Sequence, residues 1–153
     1  AFSQGRCDAY TTDKSGLVSQ LILLPDPDAA TILDATMSKE PLGPAYIEGD
    51  ATWADAVNWT VFATMTAEEF GITSENIDEF LASEDTAIQR FLGVGDNPSG
   101  SLLDLDNDFA VNVIRAVGNY AEIFDRNIPP IGLQRGVNAL WTDGGLMYSP
   151  PFK

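Results

Sequence analysis

The sequence contains no histidine, and it carries few basic residues. Without histidine, the chain's own residues cannot form a Ser-His-Asp triad, a Cys-His pair or a histidine-based zinc site. Lys and Arg together number 8 against 23 Asp and Glu, which gives a formal net charge of −15 at pH 7. Because like charges repel, a surface of this charge is unsuited to the phosphate backbone of DNA or RNA. We therefore expect no nucleic-acid partner and a function other than histidine-dependent catalysis.

Cysteine is also scarce, since Cys7 is the only one. A single thiol forms no disulfide within the chain, and without a histidine it offers no metal site. The residues alone leave two roles open: a small buried side chain, or a disulfide to a cysteine outside this sequence. Long apolar runs are absent as well. The longest, at 21–24, is far shorter than the roughly 18–20 residues that a membrane-spanning helix needs.

The sequence does contain enough apolar material for a folded domain, with 44% hydrophobic residues among 153. Its first third consists of short segments. Tyrosine and threonine in 6–13 predict a β-strand, and Asp13 follows as the N-cap of a helix that runs to about Leu24. Residues 30–39 are predicted to be extended, and 45–47 is predicted to form a second short strand.

Helical periodicity dominates after residue 50. Apolar residues at helical spacing predict a long helix at 52–69, buried on two sides, and another at 106–125. Shorter helices are predicted at 74–82, 84–92 and near 135–141, with a loop at 94–101. Because the strands cluster in the first third, they cannot complete a parallel sheet on their own. We therefore expect the chain to be part of a larger α/β protein.

Asp13 has the most specific position among the acidic residues. It follows a predicted strand and precedes a predicted helix, and in open α/β sheets ligands bind at the carboxyl ends of strands. A carboxylate there suits a cationic group, such as the α-ammonium of an amino acid, through a charge-assisted hydrogen bond. The residues alone favour the simpler role, in which Asp13 only caps the helix.

The other acidic residues give weaker signals. The spacing D-x-D-x-D at 104–108 resembles the start of a calcium loop, but Phe109 and Arg115 occupy the positions that require Gly and Glu. Helix capping is the better interpretation of that cluster, so we predict no metal site. With 23 Asp and Glu in the chain, some pair can always be proposed as general acid and base. A carboxylate-based enzyme therefore stays an alternative without a specific residue pair.

Four segments of the chain resemble the solute-binding proteins of polar amino-acid ABC importers, and among these the general L-amino-acid-binding branch. The segments are GRCDAYTTDKSGL at 5–17, SKEPLGP at 38–44, GNYAEIF at 118–124 and RGVNALWT at 135–142. The first of them is similar to a strand near the end of the second lobe in that family. Together the matches cover essentially the whole chain.

The resemblance implies an α/β fold of the periplasmic-binding-protein type II, with two lobes. This chain would be its C-terminal portion, helix-rich after residue 50. Residues 1–29 would form the last strand–helix unit of lobe two, and 30–48 the crossing strands of the hinge. Residues 49–153 would form the C-terminal helical part of lobe one and the tail. This division accounts for the order of the predicted elements.

The resemblance also implies a ligand-binding role for Asp13, because the family uses the last Asp of that strand to contact the ligand's α-amino group. The arginine that holds the α-carboxylate would lie in a segment outside this chain. Cys7 stands where the family has a cysteine. Its disulfide partner would lie in the same outside segment, and such a disulfide fits the oxidising periplasm.

The implied function is that of the periplasmic substrate-binding component of an ABC importer. It would capture free L-amino acids by hinge closure and deliver them to the permease subunits, without catalysis and without a cofactor or metal. A further partner would be the missing N-terminal part of the same protein. Two alternatives stay open: a non-binding fragment that is stable only with a second chain, and a carboxylate-based enzyme domain.

Overall fold

The computed structural model describes residues 1–96 and 98–152, and that part of the chain contains six α-helices. The helices are α1 (Lys14–Leu21), α2 (Ala51–Glu69), α3 (Ile77–Phe80), α4 (Thr86–Phe91), α5 (Phe109–Val117) and α6 (Tyr120–Asn127). The prediction of a helix-rich chain after residue 50 is confirmed. Position 97, in the predicted loop 94–101, and position 153 lie outside the described residues.

Helix α2 confirms the prediction of a long helix at 52–69. Asp50 caps its first turn, because its Oδ1 accepts a hydrogen bond from the backbone N–H of Trp53 at 2.9 Å. In the second half of the helix, the small side chains of Ala63 and Ala67 are fully buried and let α5 and α6 pack closely. The start of the helix is more open, since Trp53 is 57% exposed. The predicted burial on two sides therefore applies only to the second half.

The single helix predicted at 106–125 is wrong, because α5 and α6 are separated at Gly118 and Asn119. Gly118 has a φ of 80° and a ψ of −179°, a conformation that is essentially restricted to glycine. Asn119 then begins α6 with a capping box. Its side-chain oxygen accepts a hydrogen bond from the Glu122 N–H at 2.9 Å, and the Glu122 carboxylate accepts one from the Asn119 N–H at 2.8 Å. The apolar periodicity continues across this break and conceals it in the sequence.

Residues 1–50 contain α1 but no β-strand. The strands predicted at 6–13 and 45–47 are therefore wrong for this chain, and 30–39 is irregular. Tyrosine and threonine favour a pleated backbone, but a strand also needs ladder hydrogen bonds to a neighbouring strand. No described segment provides that neighbour. The helix predicted after Asp13 is confirmed, although it ends at Leu21 rather than Leu24.

A hydrophobic core lies among α2, α3, α4 and α5 and the segments that connect them. Phe152 enters this core from the end of the chain, and its ring centre lies 4.8 Å from that of Trp59 and 5.1 Å from that of Phe91, both edge to face. The core therefore joins α2 to the tail. Its largest fully buried side chains are Ile72, Ile77, Phe91, Leu92 and Ile114.

The tail packs against α2 through polar contacts as well. The Thr66 hydroxyl donates a hydrogen bond of 2.8 Å to the Ser149 hydroxyl in a buried position. An isolated parallel bridge joins Leu140 and Met147. In place of the short helix predicted near 135–141, the structure has two 3₁₀ turns, Gly136–Asn138 and Trp141–Asp143. Glycines in this region favour turns over a continuous helix.

Candidate functional site around Asp13

Asp13 lies at the N-cap of α1, and three neighbours hold its half-buried carboxylate. The Ser15 hydroxyl donates to Oδ2 at 2.5 Å, and the Gly16 backbone N–H donates to the same oxygen at 2.7 Å. The Thr12 hydroxyl donates to Oδ1 at 3.1 Å. Glycine at position 16 leaves room for this arrangement, because a Cβ there would lie 3.0 Å from Oδ1. The predicted capping role of Asp13 is confirmed.

These hydrogen bonds lower the pKa of Asp13 below its ordinary value. The Ser15 hydroxyl is the largest cause and the Gly16 N–H is the next. Both favour the ionised form, because they donate to the carboxylate oxygens. Desolvation acts in the opposite direction but does not outweigh them. The side chain is therefore a carboxylate at neutral pH.

The charge of Asp13 has no cationic partner among the residues that the structure describes. The ion pairs of residues 1–96 and 98–152 join Arg115 to Asp78 and Arg135 to Glu68. An ionised carboxylate offers about four acceptor positions. Two of the three hydrogen bonds from neighbouring residues go to Oδ2 and one goes to Oδ1, so Oδ1 is the less occupied oxygen. The arrangement can therefore accept a hydrogen bond from one further donor, such as an ammonium group.

Cys7 lies in the same segment and is exposed, with a free thiol in this chain. Cys7 is therefore not a buried residue within this chain. A disulfide to a cysteine outside this sequence stays a prediction.

The acidic cluster at 104–108 does not cap α5 as predicted. Asp108 occupies the N-cap position, but its side chain makes no capping hydrogen bond. Within residues 1–96 and 98–152, no group of three or more His, Cys, Asp or Glu side chains could hold a metal ion. No helix in the described part of the chain has the length and apolar composition to cross a membrane.

A surface groove of about 250 Å³ lies between the end of α2 and the tail. Glu69 is the acidic residue in its wall, and its Oε1 accepts a hydrogen bond from Trp141 Nε1 at 3.2 Å. An enzyme that uses a pair of carboxylates as acid and base needs two positioned acidic side chains. This groove therefore does not support the alternative of a carboxylate-based enzyme. Its lining is Thr66, Glu69, Phe70, Ala87, Trp141, Tyr148, Ser149, Pro150, Pro151 and Phe152.

Arg135 stabilises the packing of the tail rather than a binding site. Its Nη2 lies 2.5 Å from Glu68 Oε2 in a half-buried ion pair, and the hydrogen bond to Glu68 raises the pKa of Arg135. Its guanidinium carbon also lies 5.5 Å and 5.6 Å from the ring centres of Tyr120 and Phe124. Sequence reasoning missed this contact. The available signal was the pair of aromatic residues four positions apart on α6.

Asn119 and Glu122 connect the start of α6 to the segment after α2. The Asn119 side-chain amide donates to the Ile72 carbonyl at 2.9 Å, and the Ser74 hydroxyl donates to Glu122 Oε1 at 2.5 Å. Burial tends to raise the pKa of Glu122, but hydrogen bonds from Ser74 and from the Asn119 N–H outweigh it and the pKa is lowered. The GNYAEIF segment at 118–124 therefore holds the fold and does not form part of a site around Asp13.

The comparisons with known proteins agree with this fold. No family model matches the chain. Over its whole length the chain is 52% identical to the general L-amino acid-binding periplasmic protein AapJ of Rhizobium johnstonii, and it spans 46% of that protein. Over 99% of its length it is 49% identical to the glutamate/glutamine/aspartate/asparagine-binding protein BztA of Rhodobacter capsulatus, again spanning 46% of the relative.

A solved structure decides the fold. It is an ABC transporter periplasmic binding protein from Brucella ovis with glutathione bound, and it matches with a TM-score of 0.92 at 47% identity. The match covers 100% of this chain and 49% of that protein. The chain is homologous to the C-terminal portion of amino-acid-binding proteins of ABC transporters. The predicted periplasmic-binding-protein fold is therefore confirmed, and the chain spans about half the length of these relatives.

Proposed function

We propose that this chain is part of the substrate-binding component of an ABC importer that captures free L-amino acids in the periplasm. Similarity along the whole chain to two proteins named for amino-acid binding carries the proposal. The unpaired carboxylate of Asp13 has the matching chemistry, since an α-ammonium group is its complementary partner. Because the chain spans about half of each relative, the complete protein would have the binding activity.

The proposed organisation follows the order of the elements. Residues 1–29, with α1, would belong to lobe two, and 30–48 would cross between the lobes. Residues 49–153, with α2 to α6 and the tail, would belong to lobe one. The start of α2 at Ala51 and the core that begins within α2 support the boundary near residue 49.

Asp13 would bind the α-ammonium group of the ligand through Oδ1, the oxygen with fewer hydrogen bonds. An arginine from the part of the protein outside this chain would bind the α-carboxylate, since its planar guanidinium matches a carboxylate with two hydrogen bonds. The lobes would close over the ligand, and the closed form would bind the permease subunits. No bond of the ligand is made or broken, so the protein is proposed to be a carrier and not an enzyme.

The proposed ligand class is defined by the α-amino acid head group. The glutathione bound in the Brucella ovis relative belongs to this class, because its γ-glutamyl end has a free α-amino and a free α-carboxyl group. Recognition of the head group alone would allow different side chains. We therefore propose glutamate and glutamine as ligands, with glutathione as a second candidate.

The proposed compartment is the periplasm, in agreement with the names of the relatives. Cys7 would form a disulfide with a cysteine of the part outside this chain, since oxidising compartments maintain such bonds. Thiol labelling of the denatured complete protein, with and without prior reduction, would test this. Equal labelling of Cys7 in both samples would contradict it.

Replacing Asp13 with Asn in the complete protein tests the role of its charge. Asn caps helices about as well as Asp, so the substitution removes the charge and keeps the cap. Because hydrogen bonds to charged groups are stronger than neutral ones, we expect the affinity for glutamate to fall about ten- to a hundredfold. Isothermal titration calorimetry measures the affinity, and a thermal melt checks the fold.

Asp50→Asn is the matched control, because Asp50 caps α2 in the same way. It should leave the affinity for glutamate unchanged. Equal affinities for the wild type and Asp13→Asn would refute the assignment of Asp13. If neither glutamate, glutamine nor glutathione binds the complete wild-type protein, the proposed ligand class itself is wrong.

We expect the 153-residue chain alone to bind these ligands weakly or not at all, because Asp13 supplies only one side of the proposed site. Titration of glutamate into the isolated chain tests this. Size-exclusion chromatography of the same sample would show whether it needs a second chain or a second copy of itself to stay folded.

A further inference from the structure

The first 50 residues, which we call the arm, are not packed into a core. None of the residues 1–50 is buried in the structure. Helix α1 has no buried residue, and several large apolar side chains of the arm face solvent. They are Ile22 (66% exposed), Leu23 (73%), Leu33 (72%), Met37 (83%), Leu42 (73%) and Ile47 (85%).

The remaining residues, 51–152, form what we call the body, and they contain the whole core. The core cluster begins at Ala63 and ends at Phe152. Buried polar contacts also lie within the body, including the hydrogen bonds from Thr66 to Ser149 and from Asn119 to Ile72. Buried apolar side chains and fully buried hydrogen bonds, which stabilise folded proteins, are therefore found in the body.

Few contacts join the arm to the body in the part of the chain that the structure describes. Asp50 caps α2, and Tyr46 accepts a hydrogen bond of 3.4 Å from the Asn58 side-chain amide. Both contacts are exposed and lie next to the boundary. They give the arm little stabilisation from the body.

The surface area of the chain is larger than that of a compact protein of its size. The accessible surface is 10328 Å², whereas a compact monomer of 16.5 kDa exposes about 7,500 Å². The excess of about 2,800 Å² is as large as one side of an extensive obligate interface. The exposed apolar side chains of the arm contribute to this excess, and so do those of the body, such as Leu102 (79% exposed) and Leu146 (75%).

We propose that the body is an independent folding unit and that the arm has no stable structure of its own in this chain. The body forms a hydrophobic core without any residue of the arm, and the arm forms no core of its own. Asp13 lies in the arm, so the fixed position that it needs for ligand binding depends on what the arm packs against in the complete protein. The stability difference itself does not depend on the proposed function.

Hydrogen exchange with mass spectrometry on the 153-residue chain tests the proposal, and two helices provide an internal comparison. Helices α1 and α6 both have eight residues. Helix α6 buries Phe124 and begins with a capping box, whereas α1 buries nothing. An isolated helix of this length is unstable in water. We expect the amides of α6 to exchange at least about a hundredfold more slowly than those of α1.

Equal protection of α1 and α6 would overturn the proposal, because the arm would then be as stable as the body. Absence of protection in α2, α5 and α6 would overturn it as well, because the body would not fold alone. Limited chymotrypsin digestion gives an independent result. Cleavage at Tyr10, Leu23 and Tyr46 should leave the body intact, and early cleavage within α2 or α5 would contradict this.

Discussion

Replacing Phe152 with Ala tests how much the last part of the chain contributes to the core. The side chain is 7% exposed, and its ring packs edge to face on Trp59 and Phe91 and stacks on Phe109. Removing a buried phenylalanine ring costs about 3–5 kcal/mol of unfolding free energy. That range already includes the loss of aromatic contacts, and the three aromatic neighbours of Phe152 place it in the upper part, about 4–5 kcal/mol.

Urea denaturation followed by tryptophan fluorescence measures this loss, because Trp59 contacts the removed ring. For a slope of about 2 kcal/mol per molar urea, a loss of 4 kcal/mol lowers the midpoint by about 2 M. Phe2→Ala is the control, since Phe2 has the same side chain but lies in the arm, outside the core cluster. A loss below about 1 kcal/mol for Phe152→Ala would refute the buried position of this ring.

Two further predictions concern the junction between α5 and α6. Gly118→Ala should destabilise the chain by about 1–3 kcal/mol in urea denaturation, because the new Cβ would lie 2.8 Å from Glu122 at a positive φ. Gly71→Ala is the control, because Gly71 also has a positive φ of 69° but a Cβ there would meet no atom within 4 Å. It should lower the free energy of unfolding by less, and an equal loss would contradict the steric explanation. Glu122→Gln should destabilise the chain at pH 7. Because folding lowers the pKa of Glu122, its ionised carboxylate stabilises the folded chain fully at pH values above the ordinary pKa of 4.5. This stabilisation disappears as the pH falls through the lowered pKa of the folded state. A difference between wild type and Glu122→Gln that stays the same from pH 7 to pH 3 would contradict this.

Helix α2 shows what local sequence can predict. Its apolar spacing is a local feature, and the bounds predicted from it, 52–69, differ from the observed Ala51–Glu69 by one residue. The break at Gly118 also had a local signal, because Asn119 and Glu122 have the spacing of a capping box. The continuous apolar face masked that signal.

The predicted strands show the limit of local sequence. Residues 6–13 have strand-forming side chains, but a strand also depends on hydrogen bonds from a neighbouring strand. The residues at 6–13 do not show whether that neighbouring strand is present. The same holds for the contact of Arg135 with Glu68 on α2, which depends on the path of the tail and not on nearby residues.

The candidate site was only partly accessible from the sequence. The capping role of Asp13 followed from its position before α1, and the structure adds the hydrogen bonds from the hydroxyls of Thr12 and Ser15. Its role toward an α-ammonium group came from a resemblance and stays a prediction. A binding site between two lobes is formed by residues of both lobes. The residues of one lobe alone therefore do not show the complete site.

The packing of the tail against α2 has a consequence for the time course of synthesis. The buried hydrogen bond between Thr66 and Ser149 spans 83 residues, so it cannot form until the ribosome has made nearly the whole chain. At about 5–20 residues per second, the apolar face of α2 waits roughly 4–17 s for its partner. During that interval α5 and α6 can already pack on α2, whereas Trp59 lacks the ring of Phe152 that later covers it.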